Sequence, residues 1–234
     1  MTVLGIDTAT AAATVGICRD GRILGERSEL HERDHAASLP AMVSGVLRDV
    51  GLAVDDLEGV AVSIGPGSFT GLRVGLSFAK GLAYAGGIPI VGVPTLEAFA
   101  LVVDVEAGLV APCLDARKGE VYLAVYARAA DGVRELVAAR AMSPPAAARE
   151  IAERFGDRAG VVVGDAAERY PSEFASIAAR GVALHPLPKV HPSGGVVAAC
   201  GEDLLRRSDT APPGGLEPLY LRPSEAERRR QGLH

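Results

Sequence analysis

The apolar positions change period along the chain in a readable way. Residues 2–8 alternate around Val3, Leu4 and Ile6 and end at Asp7-Thr8, which predicts a strand. Val15 to Cys18 predicts a second strand, Asp20-Gly21 a two-residue hairpin turn, and Ile23-Leu24 the start of a third. Leu39, Met42, Val43, Val46, Leu47 and Val50 then recur at helical spacing, with Asp34 as N-cap and Gly51 as the stop. Val60 to Ile64 reads as a buried strand broken by Gly65-Pro66-Gly67. A helix over Thr70–Ala85 closes at Gly86-Gly87, a strand covers Ile90–Val93, and residues 95–103 read as helical. The order β-β-β-α-β-α-β-α is a meander followed by crossover units, whose strands lie parallel.

From Val110 the pattern restarts. Strands over Val110–Leu114 and Val121–Tyr126 are joined through Arg117-Lys118-Gly119. Pro144–Phe155 reads as a helix with proline in its first turn, Val161–Val163 as a short strand, and residues 193–206 as a late helix. Pro212–Gly215 reads as a loop. The expected organisation is an α/β chain with an N-terminal lobe over 1–105, a C-terminal lobe over 106–222 and a polar tail over 223–234.

Composition narrows the function classes. Hydrophobic residues make up 48% and charged residues 23%, which is globular rather than disordered. Aromatics are 4% and tryptophan is absent, so small side chains must fill the cores. A net charge of −5 argues against a stand-alone nucleic-acid binder, which needs clustered Lys and Arg. Arg228-Arg229-Arg230 is the local exception and reads as a solvated tail. No apolar run approaches the ~18 residues of a membrane span, and the first residues lack the basic region of a signal peptide. Cys18, Cys113 and Cys200 fit neither a disulfide framework nor a zinc ribbon, so buried free thiols and the reducing cytoplasm are expected.

Few residues point to chemistry by type and spacing. Asp7, with Thr8 and Thr10, stands where a carboxylate past a strand end can meet hydrated Mg²⁺ or a phosphate-bearing ligand; a turn-capping aspartate is the competing reading. The run Gly65-Pro66-Gly67-Ser68-Phe69-Thr70-Gly71-Leu72-Arg73-Val74-Gly75 is strand, glycine turn and helix start, a place that favours anions. It lacks the Lys-Ser/Thr of a P-loop, and Thr70 replaces the third glycine of G-x-G-x-x-G. His31 and His35 miss the H-E-x-x-H spacing by one position, so no metal site is expected there. Asp115, Arg117, Lys118 and Glu120 read as a solvated turn, and Gly194-Gly195 as a helix start after Pro192. On the helix from Gly71, one face carries Leu72, Leu76, Ala79 and Ala83, the far side Val74, Phe78, Leu82 and Ala85, and a polar strip Arg73, Ser77, Lys80 and Tyr84. Two apolar faces imply either burial inside the chain or a partner.

Several segments together resemble the TsaB (YeaZ) family of tRNA threonylcarbamoyladenosine biosynthesis proteins. They are Leu4-Gly5-Ile6-Asp7-Thr8-Ala9-Thr10, His35 through Pro40, Ser63 through Gly75, Gly92-Val93-Pro94-Thr95-Leu96, Asp115-Ala116-Arg117 with Glu120-Val121-Tyr122, and Pro218-Leu219-Tyr220-Leu221-Arg222. The resemblance implies an actin-like ATPase fold (the sugar kinase, Hsp70 and actin type) with two ββαβα-type lobes. It implies a non-catalytic dimerisation subunit that serves threonylcarbamoylation of tRNA adenosine 37 together with TsaD and the TsaE ATPase. TsaD-like proteins carry a metal-binding H-x-x-x-H where this chain has Thr95 and Phe99, and neither side chain replaces imidazole on a transition metal. No catalytic residue, metal or cofactor of its own is therefore expected. ATP or ADP is expected only at the partner contact, nucleotide or phosphate proximity is expected at Asp7, Gly65, Gly67 and Ser68, and tRNA contact is expected mainly through partners. The expected interface, to TsaD or to a second copy, is Leu39, Met42, Val46, Gly71, Leu72, Gly75, Leu76, Ala79 and Ala83. The runner-up is a small-molecule phosphotransferase or ATPase of the same fold.

Overall fold

The computed structural model describes residues 1–30, 35–103, 108–129, 132–185, 191–207 and 212–222. Asp34, His31 and the triple arginine lie outside the described residues. The first lobe carries strands β1 (Thr2–Asp7), β2 (Ala12–Arg19), β3 (Arg22–Leu30), β4 (Gly59–Gly65) and β5 (Ile90–Pro94), with helices α1 (His35–Asp49), α2 (Phe69–Gly86) and α3 (Thr95–Val102). The second carries β6 (Gly108–Arg117), β7 (Glu120–Ala129), β8 (Gly132–Met142), β9 (Gly160–Val163) and β10 (Ala183–His185). Its helices are α4 (Pro144–Phe155), α5 (Ala166–Arg169), α6 (Pro171–Ala178) and α7 (Gly194–Arg206).

Sheet order is β3-β2-β1-β4-β5 in the first lobe and β10-β9-β6-β7-β8 in the second, the same arrangement twice. In each, the first strand pairs antiparallel with the second and parallel with the fourth. The Asp20-Gly21 turn has φ of 50° and 76°, as the primed hairpin turn requires.

The lobes exchange helices. Leu39, Met42 and Val46 of α1 and Leu76 and Ala79 of α2 cover one face of the first sheet, against Leu4, Ile6, Val15 and Val60. The other face is covered by α7, whose Val197, Ala198 and Leu205 meet Val3, Ala61 and Val91. Conversely, Leu96, Phe99 and Ala100 of α3 pack on Val110, Leu114, Tyr126 and Val163 of the second sheet. The strands divide between β5 and β6, but the helices do not follow: α3 packs on the second sheet and α7 on the first. A sheet buries both faces only when something covers each, and chain order does not say which helix does so.

Close backbone approach explains the glycines at this crossing. A Cβ on Gly194 would lie 2.3 Å from the Val15 carbonyl carbon, and one on Gly5 2.1 Å from Gly194 O. Gly194-Gly195 is the start of α7, capped by Ser193, whose hydroxyl accepts from the Gly195 and Val196 amides at 3.1 and 3.2 Å. Glu202 fixes the far half of α7. Its buried carboxylate accepts from the Asp20 and Gly21 amides at 3.1 and 2.8 Å and from Arg206 at 2.6 Å. Burial opposes ionisation there, but the Gly21 amide, the Arg206 guanidinium and the Cys18 thiol outweigh it and hold Glu202 below the usual carboxylate range.

Four elements escape the sequence pattern: β8, α5, α6 and β10. β8 is an edge strand, mostly half-exposed, in an Ala- and Arg-rich segment whose pairing to β7 overrides a weak local preference. Cys18 and Cys113 are buried as expected, whereas Cys200 is half-buried. Among the described residues no helix is long and apolar enough to cross a membrane.

Candidate functional site

The glycine-rich run builds a helix–turn contact. Ser68 caps α2, its Oγ accepting from the Gly71 amide at 3.2 Å. Gly67, Gly71 and Gly75 recur every four residues and rest on the β1–β2 turn. A Cβ at each would lie 2.4 Å from Ala9 O, 2.0 Å from Thr8 O and 2.2 Å from Thr8 Oγ1. Thr8 Oγ1 in turn donates to Gly71 O at 2.7 Å, and the Ser68 amide to Ala9 O at 2.7 Å. The groups that a phosphate would need are therefore engaged by the protein itself.

Asp7 lies beneath this contact, 0% exposed. Oδ1 accepts from the Ala9 amide at 3.2 Å, whereas Oδ2 and the neighbouring Ser63 Oγ have no aligned partner. Burial pushes the Asp7 carboxyl up to about 7, with the Ser63 hydroxyl and the Ala9 amide opposing. Asp7 is fully buried, Ser68 is a helix cap, and Gly65 and Gly67 lie against Leu219 and Ala9. Asp7, Gly65, Gly67 and Ser68, expected near a nucleotide, thus each have a structural role within the chain.

The expected interface residues lie largely inside the chain. Leu39, Met42, Val46, Leu72, Leu76, Ala79 and Ala83 are all buried within the chain, as are Gly71 and Gly75. The apolar far side is shared: Val74, Phe78 and Leu82 are half-buried against the first-lobe core, and Ala85 is exposed. A charge at Leu76 or Ala79 would disrupt the core before it could report on any partner.

What faces outward is a groove between α1 and α2 of about 630 Å³, lined by Leu39, Phe69, Thr70, Arg73, Val74, Ser77 and Phe78. At its mouth the Arg73 guanidinium lies 3.8 Å from the Phe69 ring centroid and 6.0 Å from that of Tyr220. The two rings are 5.1 Å apart, and Arg73 Nε donates to Tyr220 Oη at 3.0 Å. Phe69 and Tyr220 remain 38% and 42% exposed. An arginine between aromatic rings on a grooved surface is the composition of interface hot spots. The helix periodicity marked Arg73 and Ser77 as a polar strip but gave no sign that Tyr220 joins them across 147 residues. An exposed tyrosine late in an aromatic-poor chain was the available signal.

In the second lobe the expected solvated turn is more ordered. Asp115 accepts from Tyr170 Oη at 3.1 Å and from the Arg117 amide at 2.9 Å, and its own amide donates to Asp165 Oδ1 at 2.7 Å. Burial, with the neighbouring Asp115 charge, raises the Asp165 carboxyl. Among the described residues no group of three or more His, Cys, Asp and Glu side chains could hold a metal ion.

The model of the family described as TsaD, tRNA N6-adenosine threonylcarbamoyltransferase, matches residues 25–159, more than half of the chain. The Escherichia coli tRNA threonylcarbamoyladenosine biosynthesis protein TsaB is 39% identical over 135 residues, 57% of this chain and 58% of that protein. The structure of YeaZ from Pseudomonas aeruginosa superposes with a TM-score of 0.82 at 27% identity, covering 94% of this chain and 99% of that one. The chain belongs to the TsaB/YeaZ family. An uncharacterized Mycobacterium tuberculosis protein is 37% identical over 234 residues, 97% of this chain and 94% of its own length. Remote structural relatives at 12% and 14% identity speak to the fold alone, which is the actin-like ATPase fold. In this TsaB/YeaZ chain, Thr95 is fully buried and its Oγ1 accepts from the Gly65 amide at 3.1 Å, while Phe99 is fully buried against the second sheet.

Proposed function

We propose that this chain is a non-catalytic docking subunit in the threonylcarbamoylation of tRNA adenosine 37, paired with a TsaD-type transferase and joined by a TsaE-type ATPase. Family membership supports the pathway. The observation that carries the docking role is the α1–α2 groove with Phe69, Arg73 and Tyr220 at its mouth. Its occupant is an apolar helical face of the transferase, because a groove between two helices accepts a third. Thr95 and Phe99 support the non-catalytic half: both side chains serve the fold at the two positions where the transferase would hold metal. ATP or ADP in the assembly then belongs at the partner contact, tRNA contact falls to the partners, and the setting is the cytoplasm.

Ser77→Arg tests this directly. Ser77 is exposed on the groove, so a bulky charge there leaves the core intact. Binding to a purified TsaD-type protein should fall at least a hundredfold, with an unchanged circular dichroism melt. Cells carrying the variant as sole copy should lose threonylcarbamoyladenosine from total tRNA. Full binding and modification by Ser77→Arg would refute the docking face. If the variant abolishes only self-association on a sizing column, the groove's occupant is a second copy.

A further inference from the structure

Residues 212–222 run back along α2 and then cross to the second lobe. Lys80 Nζ donates to Gly214 O at 3.5 Å, and Leu216 packs on the first-lobe core. The Leu219 amide donates to Ile64 O at 2.7 Å, at the end of β4. Tyr220 is held by Phe69 and Arg73. Two residues on, Arg222 donates from one guanidinium nitrogen to Ala116 O and Arg117 O at 2.8 and 3.1 Å, and the same nitrogen lies 3.0 Å from Glu120 Oε2. Its side chain is only 13% exposed. Within four residues, Leu219 and Tyr220 thus bind the first lobe and Arg222 the second.

Both anchors are shaped to receive this segment. Gly65 has φ +115°, and a Cβ there would lie 2.9 Å from Leu219 O, so any larger residue would push the segment off β4. On the other side, Arg117 and Lys118 take φ of 65° and 54°, a tight turn that leaves the Ala116 and Arg117 carbonyls facing Arg222. That turn is stiffened by the Asp115, Asp165 and Tyr170 hydrogen bonds.

We propose that residues 216–222 are a strap that locks the two lobes at one angle, and that Tyr220 makes the strap part of the docking face, so that partner seating and lobe locking are one event. The second clause rests on the docking reading above. A partner pressing on Phe69 and Arg73 presses on the two side chains that hold Tyr220. Two residues of backbone transmit that restraint to Arg222, whose mostly buried side chain holds the Ala116 and Arg117 carbonyls and the more exposed Glu120.

The test combines an inter-lobe distance with an affinity. Spin labels go on Asp55→Cys and Asp157→Cys, both exposed and one in each lobe, in a Cys200→Ala background. Arg222→Ala should broaden the inter-lobe distance distribution and weaken binding of a TsaD-type protein about tenfold, although Arg222 does not line the groove. Glu120→Gln removes only the ion pair and should broaden the distribution less, which guards against a misfolded Arg222→Ala. Adding the partner should narrow both variants toward the wild-type distribution. Unchanged distances in both variants would overturn the lock. Broadened distances with wild-type affinity would overturn the coupling. If the wild-type protein does not bind the partner at all, the docking reading fails, and the distances still decide the lock by themselves.

Discussion

Asp7 is the place where the fold pays for a buried carboxyl, and replacing it with asparagine measures the cost. The side chain is fully enclosed, one oxygen lacks a partner, and burial raises it from 3.8 to about 7. Below pH 3.8 the folded and unfolded chains both carry the proton, so stability is unaffected. Between 3.8 and about 7 the unfolded chain has released the proton while the folded chain keeps it, so stability falls as pH rises; above about 7 the loss is constant. About three pH units at about 1.4 kcal/mol each give an upper bound of roughly 4 kcal/mol, and relaxation around the site leaves about 2–4 kcal/mol. Asp7→Asn keeps the shape, removes the ionisation, and offers an amide proton to the unpartnered Ser63 Oγ. It should therefore raise the melting temperature by roughly 5–15 °C at pH 8 and by almost nothing at pH 4. Circular dichroism melts and urea titrations at the two pH values read this out. A variant that is less stable than wild type at pH 8, or shifted equally at both, would refute the reasoning. It would mean that Asp7 is ionised and that a cation or donor holds it.

Gly71→Ala should destabilise the chain by about 2–4 kcal/mol in urea unfolding, because its Cβ would lie 2.0 Å from a backbone oxygen that has nowhere to move. Ser68→Ala should cost about 1 kcal/mol, the usual worth of a helix cap, with no change in nucleotide behaviour. Glu202→Gln should cost about 2–3 kcal/mol at pH 7 by weakening the charged bonds that tie α7 to the β2–β3 turn. Because Glu202 titrates below its ordinary value, that contribution is present above the ordinary carboxylate range and is lost as acid protonates it, so the difference between the two chains in urea melts should shrink as the pH falls below that range. Cys18 and Cys113 should resist a thiol reagent until the chain is unfolded, since burial pushes both thiols up, Cys18 to about 12. Rapid native labelling of either would contradict the packing of α7 on β2 or of the second core.

The strands and helices of the first lobe were legible because their apolar periods and turn residues are local signals. The alternation in β1, the primed turn at Asp20-Gly21 and the helical repeat through Leu39, Met42 and Val46 are local signals of a local cause. The motif from Gly65 to Gly75 was legible as a unit, and its match to a family was correct. Its physical role was not. Glycines every four residues could have cradled a phosphate or a backbone, and only the fold brings Thr8 and Ala9 to them. The same holds for α2's two apolar faces. Periodicity shows that both are covered, not that the sheet takes Leu76 and Ala79 while the groove leaves Phe69 and Ser77 outside. The exchange of α3 and α7 between lobes, the full burial of the Asp7 carboxyl, and the meeting of Arg73 with Tyr220 depend on segments far apart in the chain. Sequence by itself determined which elements form and which family they belong to. Tertiary structure alone decided which face of each element is left for a partner, because burial depends on neighbours that local pattern does not name.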